Sequence, residues 1–229
     1  MLTVSRHALH NEQPKLRPAR DLNAPIFPSD QAQDIEGSIS LPATRGRLRG
    51  RQVLSELAPD SFVQRSIDDW FKFIHPLVPL LHRRRFLSRF HSGEADHNPA
   101  FLALVISVIA VTSSCLDVEN IPGKGMTMAV RCDGLIEEHG LLSPNACSVD
   151  WCVAQYTLAY ALIGQLGLPD WRVFRAVKNS IAGVQWFLYY NKDEKTLHDK
   201  EMVKRLYWLL AAWDLYVLEF QNKKKITDH

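Results

Sequence analysis

The side chains best suited to chemistry are concentrated in "DWFKFIHPLVPLLHRRRF", residues 69–86, which combines two histidines, two prolines and three arginines. Histidine can transfer protons or bind a metal, and arginine can bind phosphate. Proline restricts the backbone and ends helices. The segment is therefore a candidate for an active site, a metal site, a nucleic-acid contact or a structural corner.

A metal site is the first of these to test. His75 and His82 are two helical turns apart, but two prolines lie between them and interrupt any helix. Cys147 and Cys152 are five positions apart, whereas a zinc knuckle places its cysteines three apart. We therefore predict no metal ligand and expect buried thiols in a reducing compartment. The four cysteines are Cys115, Cys132, Cys147 and Cys152.

An active site is the second possibility to test, through the motifs that enzymes use. "PGKGMT", residues 122–127, lacks the first glycine and the final Ser or Thr of a phosphate-binding loop. No GxSxG nucleophile motif is present. Asp68 and Asp69 are adjacent, so on a helix they point about 100° apart and cannot act as a paired acid and base. We predict no catalytic or cofactor-binding residue, and we expect that the protein is not an enzyme.

The remaining interpretation is a structural corner. Pro76 and Pro79 turn the chain, and the apolar residues around them are too numerous to lie in water. We expect His75 to hydrogen-bond locally and the arginines of 83–85 to face solvent. The apolar residues are Trp70, Phe71, Ile74, Leu77, Val78, Leu80 and Leu81. A groove for a ligand or partner is the alternative.

The rest of the chain predicts an all-α protein built from antiparallel helix hairpins. Residues 1–52, with scattered charges and little periodicity, read as a disordered arm. Residues 53–220 show helical periodicity, and 221–229 form a polar tail. The dense apolar run of 101–111 is shorter than the roughly 20 residues of a membrane span, so we expect a buried helix and no membrane association.

The net charge of +2 excludes a strongly basic surface over the whole chain. A local patch remains, because "RGRLRGR" places four arginines in seven positions. These arginines are candidates for phosphate contact or for a nuclear import signal. A solvated linker is the alternative. They are Arg45, Arg47, Arg49 and Arg51.

Near the end of the chain, "DKEMVKRLYWLLAAWDLYVLEF" predicts one more amphipathic helix. Its apolar stripe contains Val203, Leu206, Leu210, Trp213 and Val217. Because Trp208 stands between Leu206 and Leu210, we expect it to be buried as well.

Three of these stretches together resemble the fungal-specific transcription factor domain, the "middle homology" region of fungal zinc-cluster regulators. "WFKFIHPLVPLLHRRRF" is similar to the opening of that domain, an aromatic residue followed by His-Pro, Pro, His and Phe. "VAQYTLAYALIGQLGLPDWRVFRAVKNSI" resembles its two-helix segment, and "KRLYWLLAAWDLY" its Lys-Arg-aromatic-Trp helix. The residues that match the first and third motifs are Phe71, His75, Pro76, Pro79, His82, Phe86, Trp208 and Asp214.

The resemblance implies an all-α regulatory domain that acts in transcription, in the nucleus, with a small-molecule effector or a transcriptional co-regulator as its partner. The zinc cluster of six cysteines that reads DNA in the family is absent, since no cysteine precedes Cys115. The resemblance therefore implies zinc only in an upstream cluster outside this chain, and we expect no cofactor here and at most weak, non-specific DNA binding. A helical protein-interaction module is the alternative function.

The family's helical region extends beyond the point at which "EFQNKKKITDH" ends this chain. The chain is therefore expected to be a fragment, a truncated and non-functional paralogue, or a gene model that reads past a splice site. The sequence does not choose among these, and it leaves the oligomeric state and the effector open.

Overall fold

A computed structural model describes residues 50–116, 127–168, 170–190 and 196–227, with the side chains of the last helix described as far as Trp213. The described residues form helices and turns and contain no strand, which confirms the all-α prediction. The helices are α1 (Gly50–Leu57), α2 (Asp60–Asp69), α3 (Arg83–His91), α4 (Pro99–Cys115), α5 (Met128–Glu138), α6 (Val149–Leu166), α7 (Trp171–Tyr189) and α8 (Leu197–Thr227).

The boundaries of the helical region differ from the predicted ones at both ends. α1 begins at Gly50, three residues before the predicted start, and α8 continues through Thr227 into the segment predicted as a polar tail. The predicted disordered arm otherwise lies outside the described residues.

α4 forms the centre of the core. Asn98 caps it by accepting a hydrogen bond of 3.1 Å from the backbone N–H of Phe101, and Pro99 occupies the first turn, where no backbone donor is needed. Every residue from Ala100 to Ser113 is buried. The apolar run is thus a core helix, as predicted. Among the described residues, no helix has both the length and the apolar character needed to cross a membrane.

The most extensive helix contact is between α4 and α6, which are not neighbours in sequence. The second most extensive is between α6 and α7. Gly140 follows α5, and Gly167 ends α6. Both adopt positive φ angles, 58° and 79°, which glycine tolerates better than other residues and which commonly end a helix. The arrangement of the helices as successive antiparallel hairpins stays a prediction.

α8 presents most of its predicted stripe to the core: Val203, Leu206 and Leu210 are buried and Trp213 is partly buried. Val217, the last residue of the stripe, lies beyond the described side chains. The predicted burial of Trp208 is wrong, because its side chain is 70% exposed. Leu206 and Leu210 lie one turn apart on the same face, whereas Trp208 is two residues from each and therefore about 200° around the helix. Being flanked by buried residues in sequence does not bury a helical residue.

The exposure of Trp208 has a measurable consequence for stability. We expect Trp208→Ala to change the free energy of unfolding by no more than about 0.5 kcal/mol, as is usual at surface positions. The matched variant Leu206→Ala, on the core face of the same helix, should lose about 2–5 kcal/mol. Urea denaturation of the three proteins measures both values. A larger loss for Trp208→Ala than for Leu206→Ala would contradict the packing of α8.

Candidate functional site

The corner predicted from residues 69–86 is formed by a widened helical turn. α2 runs directly into a π-helical turn, Trp70–Ile74, in which the backbone N–H of His75 donates to the carbonyl of Trp70 at 2.8 Å. Phe71 and Ile74 are buried together with Trp70. Turns of this kind recur at functional sites, and here the turn places three apolar side chains in the core.

His75 stabilises this corner, as the sequence predicted. Its Nε2 lies 2.6 Å from the carbonyl oxygen of Leu81, and because a carbonyl only accepts hydrogen bonds, Nε2 carries the proton and donates. The bond spans Pro76 and Pro79 and so closes the segment between the two helices. Through this bond, one ring nitrogen of His75 ties the start of the segment to its end.

His82 has a different task, since it caps α3. Its Nδ1 accepts a hydrogen bond of 3.4 Å from the backbone N–H of Arg85. The arginines of 83–85 face solvent, as predicted. Phe86, one turn into α3, is buried with its ring centroid 5.6 Å from that of Phe71 and 5.4 Å from that of Phe101. The described histidines, cysteines and carboxylates form no group of three with metal-binding geometry.

The corner is partly exposed, and it also makes polar contacts with α8. Leu77, predicted to be buried, is 81% exposed, so its predicted burial is wrong: it lies in the turn after the π-helical segment, where the backbone no longer directs it into the core. The carbonyl oxygen of Pro79 accepts a hydrogen bond of 2.9 Å from Arg205 of α8. Arg85 lies 3.9 Å from Asp199, and the ring of His82 lies 5.9 Å from that of His198. These polar contacts connect the corner to the first turns of α8.

The residues selected by the resemblance therefore come together only in part. Phe71, His75 and Phe86 meet at the corner, with His82 at the start of the helix that follows. Trp208 is exposed on α8, and Asp214 lies on the same helix, beyond the last described side chain. The described contacts of Phe71, His75, His82 and Phe86 are those of packing, closing the turn and capping.

We expect Pro76→Ala and Pro79→Ala, made together, to lower the melting temperature while the helix content stays equal or rises. The reason is that both prolines fix φ and block helix continuation, so their removal loosens the corner. Thermal melts followed by circular dichroism measure both quantities. An unchanged melting temperature would contradict the role of the prolines.

A charged cluster that the sequence did not reveal lies beside the corner. Arg89 of α3 donates to both oxygens of Glu94 at 2.7 Å and to Asp150 of α6 at 3.0 Å, and its guanidinium lies 4.1 Å from the ring centroid of Phe101. Burial alone would lower the pKa of Arg89, but the two carboxylates raise it above its ordinary value. Arg89 therefore stays positively charged, and its contacts hold α3 against α4 and α6. Asp150 is 61 residues away in sequence, so no spacing rule could find this pair.

This cluster predicts a pH dependence. The hydrogen bonds that Arg89 donates to Glu94 lower the pKa of that carboxyl group below its ordinary value of 4.5. A depressed native pKa contributes stability above the unfolded value, and that contribution is lost as the pH falls through the native value. We expect Arg89→Gln to lower the free energy of unfolding by about 1–3 kcal/mol near neutral pH and to flatten its decline below about pH 5.

Arg65→Gln is the matched control, since Arg65 is an exposed arginine 3.6 Å from Asp69. It should change stability by about 0–1 kcal/mol. Urea denaturation at several pH values between about 3 and 7 separates the two variants. Equal acid sensitivity in the wild type and Arg89→Gln would show that the cluster does not act as described.

A groove between α4, α6 and α8 is the best candidate for binding a small molecule. It has a volume of about 370 Å³, within the range of ligand sites. Tyr160 is central to its wall, with its ring centroid 6.3 Å from that of Tyr156 and 6.3 Å from that of Trp213. The described lining residues are Ser114, Cys115, Tyr156, Tyr160, Ile163, Gly164, Leu209, Ala212 and Trp213.

The described lining of the groove carries no charge at physiological pH. Burial raises the pKa of Tyr156 to about 12, and it also raises the pKa of Cys115, so phenol and thiol stay protonated. No acidic or basic side chain is among the described residues that line it. Such a wall favours an uncharged aromatic or aliphatic ligand, since a charged one would lose hydration without gaining a partner.

The burial predicted for the four thiols holds for two of them. Cys132 and Cys152 are buried, as predicted. Cys115 is exposed at the groove, so its predicted burial is wrong: it stands in the last turn of α4, beyond the buried span Ala100–Ser113, and only partial burial raises its pKa. Cys147 is only half-buried, since it lies in the turn before α6 rather than within a helix.

Most of the arginine patch lies outside the described residues, namely Arg45, Arg47 and Arg49. Arg51 belongs to α1, where its side chain is exposed and its backbone N–H donates to Asp96 at 3.1 Å. Gly50 approaches the turn at Ala95 so closely that a β-carbon would stand 2.4 Å from the Ala95 carbonyl oxygen. The end of the patch is thus part of the folded region.

Comparison of the chain with protein-family models, curated proteins and solved structures finds no match.

Proposed function

We propose that the chain is the regulatory domain of a nuclear transcription regulator of the fungal zinc-cluster type, and that the groove between α4, α6 and α8 receives its small-molecule effector. The neutral, aromatic-lined groove is the observation that carries the proposal. Effector binding would bias the position of α8, because Leu209 and Trp213 of that helix form one wall.

The corner supports the same proposal. Its resemblance to the family rests on His75, Pro76, Pro79 and His82, and each histidine has a definite role there, one closing the corner and the other capping α3. The all-α fold agrees with the family as well. The proposed domain acts without catalysis, by changing contacts when its effector binds.

Gly164 allows a direct test of the groove. A β-carbon at this position would meet only the Ser114 Cβ, at an ordinary 3.7 Å, so Gly164→Ala leaves the groove open and should gain up to about 1 kcal/mol of helix stability. Gly164→Trp should fill the groove and abolish the response to any effector. Both proteins, fused to an unrelated DNA-binding module, are compared with wild type in a reporter assay under varied nutrients.

The expected result is an effector-dependent reporter signal for wild type and Gly164→Ala and a constant signal for Gly164→Trp. A response that persists in Gly164→Trp would place the effector elsewhere. A signal that never departs from that of the DNA-binding module alone would contradict a role in transcription.

An exposed aromatic face on α7 favours the second candidate function, a protein-interaction module. Trp171, Phe174 and Tyr189 lie on one side of this helix, and each is more than half exposed. Arg175 and Lys178 lie over the first two of these rings, so cation–π contacts help to hold the exposed aromatic side chains in place. A co-regulator that binds here would serve the regulatory function as well.

For DNA we expect weak and non-specific binding, with a Kd no tighter than about 10⁻⁴–10⁻⁶ M at physiological salt. The arginine patch can neutralise phosphates, but base readout needs a rigid element that presents side chains to base edges. Changing Arg45, Arg47, Arg49 and Arg51 together to Ala should abolish the binding. Fluorescence anisotropy with unrelated duplexes at two salt concentrations measures it. Nanomolar binding to a single duplex would contradict this expectation.

A further inference from the structure

Two thiols meet at the start of α6. Cys147 stands immediately before the capping residue Ser148, and Cys152 lies in the first helical turn, where its backbone N–H donates to the Ser148 carbonyl. The Cys152 side chain hydrogen-bonds to the Cys147 sulfur. Both residues are thiols in this structure. The turn into the helix therefore brings together two cysteines whose spacing matches no familiar redox motif.

Gly183 of α7 provides the space in which the two sulfurs meet. A β-carbon on Gly183 would stand 2.4 Å from the Cys152 Sγ and 3.3 Å from the Cys147 Sγ. Both sulfurs thus lie against one point of α7, where any side chain larger than hydrogen would displace them. The two cysteines belong to the start of α6, and their sulfurs pack against α7 at Gly183.

The two thiols differ in access. Cys152 is buried, and Cys147 is half-buried and open to a small reagent. The hydrogen bond from Cys152 lowers the pKa of Cys147 and outweighs the opposing effect of burial. In contrast, burial raises the pKa of Cys115 and of Cys132. Thiolates react with disulfides whereas thiols do not, so Cys147 is suited to react first and Cys152 second.

We propose that Cys147 and Cys152 form a redox modification site, at which a small disulfide such as oxidised glutathione converts the two thiols into an intramolecular disulfide. This site lies apart from the α4–α6–α8 groove and does not depend on the function proposed for it.

The reaction balances without any further reactant. The Cys147 thiolate attacks one sulfur of oxidised glutathione, the glutathione S–S bond breaks, and one glutathione leaves as a thiolate that takes up a proton. Cys152 then loses its proton and attacks the Cys147 sulfur of the mixed disulfide, and the second glutathione leaves in the same way. Two protein thiols are oxidised to one disulfide, and one glutathione disulfide is reduced to two thiols.

The test uses the full chain incubated with excess oxidised glutathione, quenched with acid and alkylated. A protease that cleaves before aspartate separates Cys147 from Cys152 at Asp150, so a disulfide between them appears in mass spectrometry as two joined peptides. We expect this joined species in the wild type and equally in the control variant Cys115→Ser. In Cys152→Ser we expect Cys147 to retain one glutathione, and in Cys147→Ser we expect Cys152 to remain a thiol that carries no glutathione.

Two results would overturn the proposal. One is a wild-type protein in which Cys147 and Cys152 are both fully alkylated while the exposed Cys115 of the same sample carries glutathione, since that shows an active oxidant and an inert pair. The other is a stable glutathione adduct on Cys147 in the wild type, which would show that Cys152 cannot resolve it. Neither measurement requires a variant that might fail to fold.

Discussion

The burial of α4 on all its sides is the constraint on which the rest of the structure depends. A helix with no polar face has to be covered by other elements in every direction, and α2, α5 and α6 all pack on it. Two of its polar side chains are satisfied within the core. Ser107 donates to the Ala103 carbonyl at 2.7 Å, and Thr112 donates to the Val108 carbonyl at 2.8 Å. Removing the apolar surface of α4 from water stabilises the fold only if α2, α5 and α6 cover it, so this helix determines where they pack.

The corner and the groove both lie against α4. In its first turn, Phe101 contacts Phe86 and the guanidinium of Arg89, and these contacts help to position α3 and the corner. At the C-terminal end, Ser114 and Cys115 form one wall of the groove. α8 contacts both features, through Arg205 at the corner and through Leu209 and Trp213 at the groove.

Much of the fold is local in origin and could be predicted. The apolar run of 101–111 identified α4, and the apolar stripe that begins at Val203 identified the face of α8 that packs on the core. His75 was predicted to hydrogen-bond locally at the corner, and its bond to the Leu81 carbonyl agrees with that. The exposures of Trp208 and Leu77 were not predicted, since each depends on which side of a helix or turn faces the core. Arg89 with Asp150, and the groove between three helices, depend on tertiary packing that no sequence spacing encodes.

The most direct test of the central claim is to observe the groove while it binds. NMR spectra of protein labelled at the methyl groups of Ile163 and Leu209 are recorded during titration with uncharged aromatic and aliphatic compounds and with their carboxylate analogues. We predict saturable shifts of both methyl groups with at least one uncharged compound and weaker or no shifts with its charged analogue. Unchanged spectra across both series, or equal shifts with the charged compounds, would contradict a neutral effector site between α4, α6 and α8.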